Sequence, residues 1–388
     1  MRVRKIIFWL HLLCGILAGV VIAIMSATGV AIAFEHEILE WTDRDVRQAG
    51  SAAANRPRLT IEEIGERLRA THPSFKPTQV IVPRGPALAY EYYTGRELAF
   101  YVDPHSGLAS PPKSSRTHDL LHKLEDWHRW LGMEGNGQAV GKAVTGVCNF
   151  AFLLLCVTGL YLWFPRRWNG PALRALIWFV PGRHGRARDH NWHNVIGFWC
   201  LPVLIVLVGT AVVFSFAWAH RLVFALAGEP APEARGPGIL GSPAVEVPPA
   251  PADHPRIPID QILVRLQSNF SGWESIALPL EVPPGNKAQP LNCVVFEPAP
   301  FATRGRIQVA IDPFRGDTLS KVGFGNRSRG VRARIWVRFL HTGEAFGWPG
   351  KIVATVATAG SLILVYTGFA LSWRRFFSRG AKLSAPSP

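Results

Sequence analysis

The chain has only five cysteines in 388 residues, at 14, 148, 156, 200 and 293, with no C-x-x-C and no C-x-x-C-H. It therefore offers no disulfide framework, no zinc ribbon and no covalent c-type haem site. Charge is scarce as well: Asp, Glu, Lys and Arg make up 18% of the residues, against 48% hydrophobic with 14 Trp and 22 Phe. That balance argues against a wholly cytosolic enzyme. The one G-x-G-x-x-G match, Gly236 to Gly241, lies in a Pro-, Ala- and Gly-rich stretch and not between a strand and a helix, so a directly bound NAD(P)H or flavin is not expected.

Acidic residues are few, 27 against 42 basic, for a formal charge of +15. In a soluble protein such an excess would suggest nucleic acid. The charges are not spread evenly, however. Four segments hold no Asp, Glu, Lys or Arg at all: 6–34, 144–164, 195–219 and 352–373. A hydrocarbon layer roughly 30 Å thick needs about 20 helical residues at about 1.5 Å each, so every one of these segments can span a membrane. The first resembles a signal peptide, with Arg2, Arg4 and Lys5 before it and Ala31-Ile32-Ala33 near its end. Its length exceeds a usual signal core, and an uncleaved anchor is expected.

Basic residues concentrate beside these segments in an ordered way. The N-terminus, the 165–194 loop and the tail after Trp373 carry thirteen, opposed by Asp189 alone. The excess predicts that both termini and the loop are cytoplasmic, and the charge then needs no nucleic acid. The expected divisions are a first span within 1–34, an outer domain at 35–139, a span at 140–164, the basic loop at 165–194, a span at 195–219, a second outer domain at 220–350, a span at 351–373 and a tail at 374–388. Residues 228–255, rich in Pro, Ala and Gly, read as an extended linker.

The two outer segments share a series of landmarks. Leu59-Thr60-Ile61-Glu62-Glu63-Ile64 and Ile257-Pro258-Ile259-Asp260-Gln261-Ile262 each open an amphipathic helix, ending near Leu68 and Leu266. Strand-like runs follow, and each segment contains a D-P-x-x-G turn, at 103–107 and at 312–316. Thr158-Gly159-Leu160 and Thr367-Gly368-Phe369 recur in the second and fourth spans. The expected fold is an α-helical membrane protein of four spans with two small α+β outer domains, internally duplicated.

Thirteen histidines supply the chemistry. Ionisable groups inside membrane helices are costly and face the bundle interior, which singles out His11 and His193, each followed four residues later by a glycine, Gly15 or Gly197. A ligand and a notch on one helical face suit a flat macrocycle. His128 and His341 form a second pair, ahead of the second and fourth spans and within aromatic, basic, glycine-containing sequence. Two histidines from different helices are the usual ligands of b-type haem. For each pair the alternative is a structural histidine, satisfied by a helix carbonyl or seated at the headgroup boundary. His36 and His220 also occupy matching positions and compete for the outer pair. His118 and His122 have helical zinc spacing without a convincing third ligand, and His190 is a rival to His193. The basic run Arg327, Arg329, Arg332, Arg334 and Arg338 with Trp336 could clamp an acidic ligand, haem propionates or membrane lipid phosphates.

These residues resemble the PepSY-associated transmembrane family. The resemblance covers nearly the whole chain and rests on the leucine-histidine region at His11, on His128-Arg129 ahead of Thr158-Gly159-Leu160-Tyr161-Leu162-Trp163, on His193-x-x-x-Gly197 and on Leu340-His341-Thr342-Gly343. The chain departs from relatives at Leu12-Leu13, where Arg-Trp is common. The resemblance implies PepSY-like periplasmic domains, a bacterial inner-membrane location and two b-type haems, ligated by His11 with His193 and by His128 with His341. It further implies reduction of a ferric siderophore at the periplasmic face, fed by a quinol, a reductase partner or a soluble reductant. Two other classes stay open: a siderophore permease, and a membrane-anchored sensor or peptidase regulator without redox activity.

Overall fold

In a computed structural model, residues 2–50, 57–95, 97–165, 169–233, 245, 247, 255–280, 289–299 and 305–377 are described. Most of the 228–255 linker, Arg166 and Arg167 in the basic loop, and the tail beyond 377 lie outside the described residues. The helices are α1 (Arg2–Ile32), α2 (Glu35–Thr42), α3 (Ile61–Thr71), α4 (Ser115–Trp130), α5 (Gly137–Trp163), α6 (Gly170–Ile177), α7 (Gly185–Ser215), α8 (Ala217–Leu226), α9 (Ile259–Asn269), α10 (Arg329–Thr342) and α11 (Gly347–Phe377). The strands are β1 (Gln79–Pro83), β2 (Tyr90–Thr94), β3 (Glu97–Val102), β4 (Ala109–Ser110), β5 (Ser275–Pro279), β6 (Leu291–Phe296), β7 (Arg306–Ile311) and β8 (Thr318–Val322). They fall into two compact units, one built on the long helices and one on the strands.

In the helical unit, α1, α5, α7 and α11 are each long and apolar enough to cross a membrane. They pack through small and polar residues, as expected where lipid gives apolar side chains no reason to prefer one another. Ser361 Oγ donates to Ser26 Oγ at 2.7 Å, and Asn149 Nδ2 donates to the Val208 carbonyl at 3.3 Å. A Cβ on Gly360 would lie 2.5 Å from Cys200 Sγ, so a larger residue there would force Cys200 to shift where α7 meets α11. Asp189, fully buried, accepts from Arg374 at 2.6 Å and from Arg188 at 2.9 Å. The sole acid of the basic segments thus ties α7 to α11.

Helix α7 begins ten residues ahead of the span expected at 195, because hydropathy marks only the apolar stretch while the helix runs on through Asp189 and Asn191. His193 therefore sits inside the helix, not at its start. Within the 165–194 loop, α6 is capped by Asn169, whose Oδ1 accepts from Ala172 N at 2.9 Å.

Two glycines make the corners into α5 and α11. A Cβ on Gly141 would run into the Trp130 carbonyl oxygen, and one on Gly350 into that of Gly343. Backbone cannot yield as a flexible side chain can. Gly141→Ala and Gly350→Ala should each lower the thermal stability of the purified protein, by about 1–3 kcal/mol. An unchanged melting temperature in both variants would contradict this packing.

In the other unit, helix α3 starts with a capping box: Thr60 Oγ1 accepts from Glu63 N at 3.1 Å, and Glu63 Oε2 accepts from Thr60 N at 2.8 Å. Its apolar residues Ile61, Ile64 and Leu68 are buried, as are Ile262, Leu263 and Leu266 of α9. Asp260 of α9 also accepts from Ile61 N at 2.8 Å. Each D-P-x-x-G sequence forms the turn expected, between β3 and β4 and between β7 and β8. Asp103 Oδ1 accepts from His105 N at 2.8 Å and Asp312 Oδ1 from Phe314 N at 2.8 Å, with Gly107 and Gly316 at φ +73° and +72°.

The strands differ from two separate sheets. They make one antiparallel sheet in the order β4-β3-β2-β1-β5-β6-β7-β8, joined where Val80 pairs with Leu278 and Val82 with Ile276. All four of these side chains are fully buried. Left apart, β1 and β5 would each be an apolar open edge, and pairing them removes both.

Candidate functional site

The structure brings the four leading histidines together as two pairs. The ring centroids of His11 and His193 are 6.4 Å apart, and those of His128 and His341 are 6.3 Å apart. The interplanar angles are 87° and 49°. Helix α1 carries His11 and also Met25 and Thr28, which contact His128. At about 1.5 Å per residue, the fourteen positions from 11 to 25 put the pairs roughly 20 Å apart along the helix.

Hydrogen bonds fix the tautomer of each ring. His11 Nδ1 lies 2.9 Å from Thr158 Oγ1, whose own hydroxyl donates to the Leu154 carbonyl at 2.6 Å. His193 Nδ1 lies 2.9 Å from Thr367 Oγ1, which donates to the Ile363 carbonyl at 2.7 Å. With the hydroxyl protons committed, both threonine oxygens accept and both Nδ1 atoms donate. His128 Nδ1 is 2.8 Å from the Met25 carbonyl and His341 Nδ1 is 3.0 Å from the Leu207 carbonyl, and a carbonyl can only accept. Thr28 and Thr210 stand at 3.3 Å from the same two nitrogens. In every neutral ring Nε2 then carries the lone pair, the arrangement that outer-sphere acceptors impose on metal-ligating histidines.

Glycines back these rings. A Cβ on Gly159 would meet His11 Cε1 at 3.3 Å, one on Gly29 would meet His128 Cε1 at 3.1 Å, and one on Gly368 would meet His193 Cε1 at 3.8 Å. Gly15 and Gly197 instead line the cavity between His11 and His193. That cavity measures about 840 Å³, within the range of small-molecule and cofactor sites. Phe8, Trp163, Phe198 and Phe369 contribute aromatic walls, and Arg2, Lys5, Arg186 and Arg375 also line it.

Sequence reasoning missed the four threonines and the glycines behind the rings. Thr158-Gly159 and Thr367-Gly368 stood out only as repeated landmarks, and nothing in the sequence marked Thr28, Thr210 or Gly29.

The competing histidines are engaged differently. His36 lies on the surface of α2, 3.4 Å from Glu40. His220 is buried in α8 with its ring 5.0 Å from Phe224. Neither stands opposite another imidazole among the described ring contacts. His118 Nε2 is 2.8 Å from buried Asp43, which also accepts from Tyr101 OH and Lys113 N. Among the described residues no three His, Cys, Asp or Glu side chains are grouped to hold a bare metal ion, so His122 gains no zinc partners. His190 lines the cavity, and its backbone carbonyl accepts from Asn194 Nδ2 at 2.7 Å.

The basic run splits by position. Arg327 donates to Gln308 at 2.5 Å. Arg329 and Arg332 occupy the first turn of α10, and Trp336 lies 6.3 Å from Phe346. Arg334 packs over Phe214 at 4.4 Å, and Arg338 over Phe339 at 5.8 Å.

Among curated proteins no match to the chain is found. The family model for the PepSY-associated TM region, by contrast, matches residues 8–375, which takes in all four spans, both histidine pairs and every strand. The chain therefore belongs to the PepSY-associated transmembrane family.

Proposed function

We propose that the chain is a di-haem b reductase of the bacterial inner membrane, passing electrons outward to a ferric siderophore in the periplasm and releasing the iron as Fe(II). The observation that carries this reading is the spacing of the two imidazole pairs. Each pair brings together two imidazoles from different helices, and a haem would be held by His11 with His193 and by His128 with His341. The two separations, 6.4 and 6.3 Å, agree to within 0.1 Å.

The residues present fit the group. Nδ1–H is held in all four rings and Nε2 is left as the donor, glycines make room beside three of the rings, and an aromatic cavity surrounds the inner pair. A haem at each pair would supply one-electron transfer between ferric and ferrous iron. The chain's part is to orient the imidazoles, to keep water from the inner cavity with Trp163, Phe198 and Phe369, and to hold two sites at two depths on α1. The matching bonds of His11 and His193, and of His128 and His341, also support reading the chain as a duplicated unit. The electron donor would be a quinol, a reductase partner or a soluble reductant.

The basic lining of the inner cavity supports placing His11 and His193 near the cytoplasm, with the 35–139 and 220–350 segments in the periplasm. Reporter fusions after Gly182 and after Arg375 should score cytoplasmic, and fusions after Ser110 and after Gly272 periplasmic. An external signal at Gly182 would invert the direction of electron flow. The visible spectrum of the purified protein tests the reading itself: two non-covalent haem equivalents with low-spin bands are expected. A protein free of haem would instead point to a permease, or to an anchored sensor or peptidase regulator.

A further inference from the structure

Helix α10 carries an arginine that its own surroundings leave unanswered. Arg334 lies seven residues, two helical turns, ahead of His341, so both project from the same side of α10 about 10 Å apart along its axis. The guanidinium packs over the Phe214 ring at 4.4 Å, and the centroid of that ring is 5.3 Å from that of the His341 imidazole. Arg334 Nε is buried with no hydrogen-bond partner, although a buried guanidinium donor normally finds one. No carboxylate pairs with it among the described ion pairs. Burial, with Arg338 nearby, pulls its pKa down to about 10. A half-buried cation with an orphaned donor is costly, and an anion is the partner that offsets the cost.

The companion helix of the outer pair lacks this feature. Counting back seven residues from His128 on α4 reaches Leu121, a buried apolar side chain, and counting back three reaches Glu125, already bonded to Arg129 at 2.6 Å. The corresponding positions on α10 are Arg334 and Arg338. One side of the outer histidine pair is therefore cationic, and the other is neutral or internally paired.

We propose that Arg334 binds a propionate carboxylate of the outer haem, through its Nε and one terminal nitrogen, and thereby fixes which edge of the macrocycle faces α10. This rests on the di-haem reading. Arg334 and His341, on one side of α10, would then hold the same group from two points. Phe214, in contact with both side chains, would limit the movement of the guanidinium.

The test is a cycle of haem dissociation rates from the full chain into a haem-scavenging protein. Native haem and its dimethyl ester, which has no free carboxylate, are each loaded into wild type, Arg334→Gln and Arg334→Lys. Loss of a charge-assisted hydrogen bond should make one of the two haem equivalents leave wild type roughly tenfold faster as the ester than as native haem. Native haem should leave Arg334→Gln at a similarly raised rate, with little further change for the ester. Arg334→Lys should recover part of the difference, and the second haem equivalent, native or esterified, should leave each variant at the rate it leaves wild type. If Arg334→Gln takes up no outer haem, the wild-type comparison, repeated in His11→Ala so that only the outer haem is present, decides alone. Equal retention of native and esterified haem by wild type overturns the proposal while leaving the di-haem reading standing. A wild-type protein that binds no haem removes the di-haem reading first.

Discussion

His11→Ala and His193→Ala should each lose the same one of two haem equivalents, and His128→Ala and His341→Ala the other. The two pairs lie roughly 20 Å apart along α1, too far for one macrocycle to exchange partners between them. Loss of a single axial nitrogen should empty the site or turn its low-spin spectrum high-spin, and the untouched site should keep its bands. The double variant His11→Ala/His193→Ala should look like either single one, because both remove the same group. Thr158→Val and Thr367→Val provide a finer reading. Each keeps its histidine but removes the oxygen that accepts from Nδ1, and affinity for the inner haem should fall about 10–100-fold with the outer site unchanged. Four alanine variants that all retain two full equivalents would end this ligand assignment. Selective loss on replacing His36 or His220 would move the outer pair to those residues.

In sealed proteoliposomes with reductant confined to the side of the basic segments, the protein should reduce a ferric siderophore on the opposite side, with Fe(II) trapped there by a chelator. Each Fe(III) takes one electron, which on the proposed reading would pass both histidine pairs in turn. Any of the four histidine-to-alanine variants should therefore lower the transmembrane rate to that of protein-free vesicles. Replacing Arg332 by Ala should leave both haems in place and, if this side chain meets the chelate, raise KM several-fold with little change in kcat. A wild-type protein whose haems are reduced from the basic side, yet which passes no electrons to any ferric chelate outside, would be an electron carrier for some other periplasmic acceptor.

How much of this was legible in advance depended on the range of the interaction. The four spans could be read directly, because a membrane crossing is a local requirement on consecutive residues and charge-free runs meet it. Their ends were less legible. Helix α7 extends through Asp189, Asn191 and His193, polar residues that only their partners on other segments make tolerable inside a helix, Arg374 and Thr367 among them. The turns at 103–107 and 312–316 were equally clear, since an Asx turn closes on its own backbone within three residues.

The sequence by itself determined the membrane helices, the two turns, the two amphipathic helices and the identity of the four histidines worth pairing. Each of these rests on the order of neighbouring residues or on the rarity of an ionisable group in an apolar run. Tertiary structure alone decided the rest. It joined two runs of strands into one sheet through Val80, Val82, Ile276 and Leu278, because edge pairing is a contact between segments nearly 200 residues apart. It placed the imidazoles 6.3–6.4 Å from one another and set threonines and main-chain carbonyls against their Nδ1 atoms. It also distinguished Arg334 from the other arginines of its run, since whether a guanidinium is answered depends on which side chains the fold brings against it, and no spacing along the chain records that.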